Sequence, residues 1–197
     1  MTNRILSKRL GTIAVGAGLV AATIYLLMIT VTLAHIQTVS GQVPFDMRPS
    51  GYAPDEAVAL LQSLGADGRT YYLVRQIPLD TLYPAMLALT LSATILWLGR
   101  RLSNRRLIRI GVAVSISCAV FDYAENVGIA AMILSWPGVS DPLVYTVSAV
   151  SILKSVATTL AVALVILVGI QRMRSSRNTR PQSVNGSSEL TGAQALG

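Results

Sequence analysis

At 197 residues the chain has room for one domain, and a hydrophobic fraction of 52% with a mean hydropathy of +0.57 exceeds what soluble globular proteins carry. A formal charge of +7 would suggest nucleic acid in a soluble protein, but here the basic residues flank long apolar runs, without the basic and aromatic surface that nucleic-acid binding needs. Cys118 is the only cysteine, which excludes an internal disulfide and any site built on paired thiolates.

The basic start, with Arg4, Lys8 and Arg9, leads into an apolar run over about residues 11–35. That is longer than the apolar region of a signal peptide and predicts a first membrane span. Gly11, Gly16 and Gly18 form a small-residue stripe where another helix can approach closely, either within the chain or in a homo-oligomer.

Residues 36–80 make the longest polar segment and are expected to form an extracytoplasmic loop with helical parts. Pro54 suits the first position of a helix, and Asp55 and Glu56 fall in its first turn, where acids meet the positive end of the helix dipole. Ala57, Val58, Leu60, Leu61 and Leu64 give it an apolar side to bury at the membrane surface or as a cap on the bundle, and Gly65 suits its stop. Asp67-Gly68 is expected to turn the chain, and Arg69 to Ile77 to be helical, with Tyr71 and Tyr72 at interfacial level. Pro78 and Pro84 predict a bent entry to the second span, with Asp80 near the interface and Arg75 in reach of it.

The second span covers about 81–98 and ends in a loop rich in arginine: Arg100, Arg101, Arg105, Arg106 and Arg109. The third span covers about 108–136, the turn from Pro137 to Pro142 is too short to hold a domain, and the fourth span covers about 143–170. Residues 171–197 read as a basic, disordered cytoplasmic tail. With both termini inside, 12 of the 16 basic residues lie on the cytoplasmic side, and Arg48, Arg69 and Arg75 alone fall outside. This asymmetry predicts a four-span inner (plasma) membrane protein, an all-α four-transmembrane-helix bundle. The excess of arginine over lysine and the abundant alanine suit a bacterial source.

Asp122, Glu125 and Asn126 interrupt the third span, and with Ser115 and Cys118 they share one side of its helix. Ser151, Lys154 and Thr158 share one side of the fourth. The two spans are antiparallel neighbours, Glu125 precedes Trp136 by 11 residues, and Lys154 follows Leu143 by 11. At a rise of about 1.5 Å per residue both lie roughly 16 Å from the ends, near the bilayer midplane, and are expected to meet. Left charged and separate, the three ionisable groups would cost about 8 to 10 kcal/mol at helix centres, so pairing must recover much of that. One carboxyl is expected to pair with Lys154, and the other to be neutral or bonded to Asn126 and a hydroxyl.

Asp122, Glu125, Asn126, Lys154, Ser151 and Thr158 are therefore the candidate ligand-binding residues. Three uses are open to such a cluster. It can grip a small lipophilic or amphipathic ligand, donate a proton as the general acid of an enzyme acting on a lipid-like substrate, or fix helix register in a structural or assembly subunit. With His35 the only histidine, there is no metal-ligand spacing and no nucleophile, histidine and acid set. No phosphate-binding glycine loop is present and no cofactor is implied; membrane lipids are the expected surroundings.

The Pro and Gly punctuation of the first loop, Leu64-Gly65-Ala66-Asp67-Gly68-Arg69-Thr70-Tyr71-Tyr72-Leu73, Pro78-Leu79-Asp80, the Asp122-x-x-Glu125-Asn126 motif and a lysine in the fourth span together resemble an uncharacterised family of small bacterial four-span integral membrane proteins. The likeness covers roughly residues 40–160; it implies the four-span architecture and no activity.

Overall fold

The computed structural model describes residues 2–100 and 102–178. Within them the chain folds as helices α1 Thr2–Leu27, α2 Leu33–Ser40, α3 Pro54–Tyr71, α4 Ile77–Gly99, α5 Arg105–Leu134 and α6 Asp141–Asn178. Two π-helical turns join them into longer runs: Met28–Thr32 links α1 to α2, and Tyr72–Gln76 links α3 to α4. Four runs are long and apolar enough to cross a membrane, Lys8–Ser40, Pro54–Gly99, Arg105–Leu134 and Asp141–Ser175.

The side chains are distributed as the bilayer demands. Val15, Leu19, Leu26, Val127, Leu134, Val156 and Ile166 face outward, while Asp80, Asp122, Glu125, Asn126 and Ser151 are buried. Apolar atoms thus cover the outside and polar groups are held inside, where partners exist to satisfy them.

Small residues set the closest approaches. Ala14, Ala17 and Ala21 are buried where α1 packs on α4. Gly11 lies against Trp97 and Gly18 against Thr90, so these two glycines serve packing within the chain, and Gly16 faces open space. Gly128 brings α5 onto α6 at Val147, where a Cβ would overlap the valine side chain.

The first span reaches Ser40 rather than ending near residue 35, because helical geometry continues through the π-helical turn until Gly41 takes a left-handed conformation at φ 67°. Pro54 opens α3, and Glu56 accepts a hydrogen bond from the Ala53 N–H at 2.8 Å. Ala57, Leu60, Leu61 and Leu64 are buried with Phe45, Tyr52 and Tyr72, so α3 caps the bundle with this side, while Val58 is exposed.

Asp67-Gly68 does not form the expected turn. The break is one sharp kink at Gly65, with φ 63° and ψ −174°, after which the chain is helical again. Only glycine adopts that backbone conformation readily, and the Arg69 guanidinium secures the corner by donating to the Leu61 carbonyl at 2.8 Å and lying 5.0 Å from the Trp136 ring centre. Ahead of the second span the helical run passes through the π-helical turn Tyr72–Gln76. That turn ends two residues before Pro78, which has no N–H to offer the Val74 carbonyl.

At the opposite end, Asn104 caps α5 by accepting from the Leu107 N–H at 3.1 Å, and Arg172 donates to the Leu98 carbonyl at 3.3 Å. Helix α6 runs on to Asn178, past the expected limit of the fourth span at 170, so the first part of the expected disordered tail is helical. The rest of the tail, 179–197, lies outside the described residues, as does Arg101.

Candidate functional site

The site forms where α4, α5 and α6 meet beneath the loop that precedes α3. Asp122, and Glu125 and Asn126 one helical turn further along α5, are 5%, 1% and 4% exposed. Lys154 comes across from α6. Its Nζ lies 3.5 Å from Asp122 Oδ1 and forms a closer ion pair with Glu125 Oε2. Antiparallel neighbours joined by a short turn bring groups equally far from that turn to the same level, which is the reason these residues meet.

One lysine thus bridges both carboxylates, where the sequence suggested one partner. An ammonium has three donors and i, i+3 spacing puts two carboxyls side by side, so sharing spreads the compensation of buried charge.

Asn126 does not bond the second acid. Its Nδ2 donates to the backbone carbonyl of Asp80 at 3.0 Å. The cause lies four residues along α4, where Pro84 has no N–H to give that carbonyl. A carbonyl released within a membrane helix needs a donor, and Asn126 supplies one from the neighbouring helix.

Ser151 is 1% exposed; its hydroxyl donates to Val147 O at 3.1 Å and stands beside Glu125 and the Tyr52 hydroxyl. Thr158 lies one turn further from the loop. Its hydroxyl donates to Lys154 O at 2.8 Å and neighbours Cys118, which packs in an apolar cluster with Leu91, Ala157 and Ala161. Five of the six candidate residues are therefore brought together, and Thr158 stands outside the cluster.

The structure adds members that the sequence did not place here. Asp80, expected at the interface beside Arg75, is 2% exposed and interacts with Asp122 and Lys154. Arg75 is exposed and forms no ion pair with it; among the described residues both ion pairs belong to Lys154. Asp46, from the short 3-10 turn Phe45–Met47, brings its carboxyl to that of Asp80 and accepts a hydrogen bond from the Tyr72 hydroxyl. Gln76 is fully buried and its side-chain carbonyl accepts from the Thr32 hydroxyl, so the two π-helical turns face each other beside the site.

The loop is bound to the bundle through its backbone. The Tyr52 N–H donates to Ser148 Oγ at 2.8 Å, and the preceding Gly51, at φ 80°, has no Cβ to strike that hydroxyl. Burial pushes the Tyr52 hydroxyl well above the ordinary tyrosine range, and the Glu125 carboxylate acts in the same direction.

Four carboxyls, Asp46, Asp80, Asp122 and Glu125, thus share a buried site with one ammonium. Asp46 Oδ1, Asp80 Oδ2, Glu125 Oε1 and Asn126 Oδ1 are buried without a hydrogen-bond partner, as is the donor Gln76 Nε2. Among the described residues no group of His, Cys, Asp and Glu has the geometry to hold a metal ion. No family model matches the chain, and no curated protein or solved structure shows significant similarity to it.

Proposed function

We propose that this chain is a bacterial inner-membrane protein, with both termini cytoplasmic, whose buried site binds the polar end of a small lipophilic or amphipathic ligand. The observation that carries this reading is the set of unpartnered buried polar atoms on Asp46, Asp80, Glu125, Gln76 and Asn126. Each such atom costs about 1 to 3 kcal/mol when left unpaired, so a group that satisfies several at once gains affinity from all of them. An apolar body keeps such a ligand in the bilayer, next to the helices that enclose the site.

A role in fixing helix register has one specific observation in its favour, the use of Asn126 to satisfy the Asp80 carbonyl. Two measurements separate the readings. Native mass spectrometry of the full chain released from lipid nanodiscs is expected to show a co-purifying lipophile with the wild type and to lose it in Glu125→Gln. Folding of Glu125→Gln and Lys154→Met is then measured singly and together. If both single variants aggregate, the double variant recovers and no lipophile is seen with the wild type, the cluster fixes register and binds nothing.

A further inference from the structure

The end of the bundle opposite the α3 cap is cationic throughout. There α4 stops at Gly99, which packs against Ile108 near the start of α5, and the Leu102 N–H turns back to the Gly99 carbonyl at 3.0 Å. Arg172 of α6 donates to the Leu98 carbonyl, and Trp97 lies against Gly11 of α1, so all four spans send a basic terminus to this end. Lys8, Arg9, Arg105, Arg106 and Arg174 are exposed there, and among the described residues no ion pair engages any of them. The acids nearest along α4 and α5, Asp80 and Asp122, lie in the buried site, about 25 to 30 Å along their helices from Arg100 and Arg105.

Arg100 differs from these exposed cations. It is half-buried just past the last residue of α4, and its Nε and Nη2 are shielded from water without a hydrogen-bond partner. The N–H groups of Nε and Nη2 project in parallel from one edge of the planar guanidinium, the edge that takes two oxygens of a phosphate or carboxylate side-on. Unpaired donors shielded from water are costly, and an anion offering two oxygens removes that cost. The fork also stands at the right level for one source of such an anion, since Arg100 lies between the spans Pro54–Gly99 and Arg105–Leu134, where the phosphates of a bilayer are.

From this we infer that Arg100 is the centre of a site for the head group of an anionic phospholipid, its Nε and Nη2 fork holding two phosphodiester oxygens. The exposed arginines around it supply attraction without geometry. A zwitterionic head carries an ammonium as well, which this end repels and for which no described carboxyl is within reach, so the site selects a head of the phosphatidylglycerol kind over phosphatidylethanolamine or phosphatidylcholine. The site is separate from the buried cluster and does not depend on the ligand proposed for it.

The test places full-length protein in nanodiscs of equal parts phosphatidylglycerol and phosphatidylcholine and reads the lipid retained on the ejected protein by native mass spectrometry. The wild type is expected to retain phosphatidylglycerol at least about tenfold over phosphatidylcholine, the weight of one charge-assisted hydrogen bond. Arg100→Lys keeps the charge and removes the fork, and is expected to cut that preference about fivefold. Equal retention of the two lipids by the wild type, or an unchanged preference in Arg100→Lys, overturns the inference; the second result would leave only diffuse charge.

Thermal unfolding of the wild type, followed by the emission of Trp97 and Trp136, decides the matter if Arg100→Lys does not fold, since a ligand that binds the folded state raises Tm with its occupancy. Phosphatidylglycerol added to phosphatidylcholine nanodiscs is expected to raise Tm, and phosphatidylethanolamine at the same fraction and inorganic phosphate in the buffer are not. Equal stabilisation by phosphatidylethanolamine would remove the selectivity for an anionic head. Equal stabilisation by inorganic phosphate would make this a free-anion site, and either result overturns the inference.

Discussion

Removing the Asn126 side chain tests whether a proline in one helix dictates a polar residue in the next. Asn126→Ala deletes the 3.0 Å hydrogen bond to the Asp80 carbonyl and leaves that carbonyl, in a helix whose Pro84 offers no N–H, with one donor fewer. A hydrogen bond between membrane helices is worth about 0.6 kcal/mol on average and up to about 1.7, and the truncation also removes packed atoms, so a loss of about 1 to 3 kcal/mol is expected. Pro84→Ala restores the N–H that would serve the same carbonyl from within α4. In that background Asn126→Ala should cost about 1 kcal/mol less, because the carbonyl keeps a donor. The assay is equilibrium unfolding in mixed micelles, read for the wild type, both single variants and the double variant. Additivity within about 0.3 kcal/mol would show that Asn126 and Pro84 act independently and would refute the account of why an amide stands at this position.

Two further outcomes follow from packing and from charge. Gly128→Ala places a Cβ against Val147 at the closest approach of α5 and α6, two residues beyond Asn126, and should cost about 1 to 3 kcal/mol in the same unfolding assay, whereas Gly16→Ala, which meets nothing, should be near neutral. The proposed orientation, with both termini cytoplasmic, puts the loop between the first two spans on the extracytoplasmic side. Alkaline phosphatase inserted after Gly41 should be active and a fusion after Ser175 inactive; the reverse pattern would overturn the orientation.

The four spans were legible because a bilayer imposes length and apolarity on each, and the pairing of Lys154 with the α5 acids followed from counting residues to a short turn. What composition hides is how one helical run continues into another. The two π-helical turns carry no breaker of their own, so the sequence suggested a turn at Asp67-Gly68 where the chain is helical, and the kink falls at Gly65, the one residue there at positive φ. The same ambiguity misplaced Asp80. Counted from a bend at the prolines it falls at the interface, whereas the helical run that starts at Pro54 carries it inside the bundle at 2% exposure.

Asp46 was harder still to foresee, since a carboxyl in a loop between Pro and Gly signals reads as solvated. Its place at the site, half-buried, depends on contacts remote in sequence, with Tyr72 holding its oxygen and Ser148 holding the backbone at Tyr52. A signal was nonetheless available. Each interior proline in a membrane helix frees a carbonyl, and each freed carbonyl calls for a polar side chain on a neighbour at the same depth. Applied to Pro84, that rule singles out Asp80 as the residue whose carbonyl needs a donor and Asn126 as the amide able to give one. It thereby joins α4 to the acids of α5 and draws the Asp80 carboxyl into the site. Asp46 approaches the buried Asp80 carboxyl from the loop with a partner of its own in Tyr72. A membrane helix without Pro84 would have no need of Asn126 at that level and no polar contact there to hold α4 in register against α5.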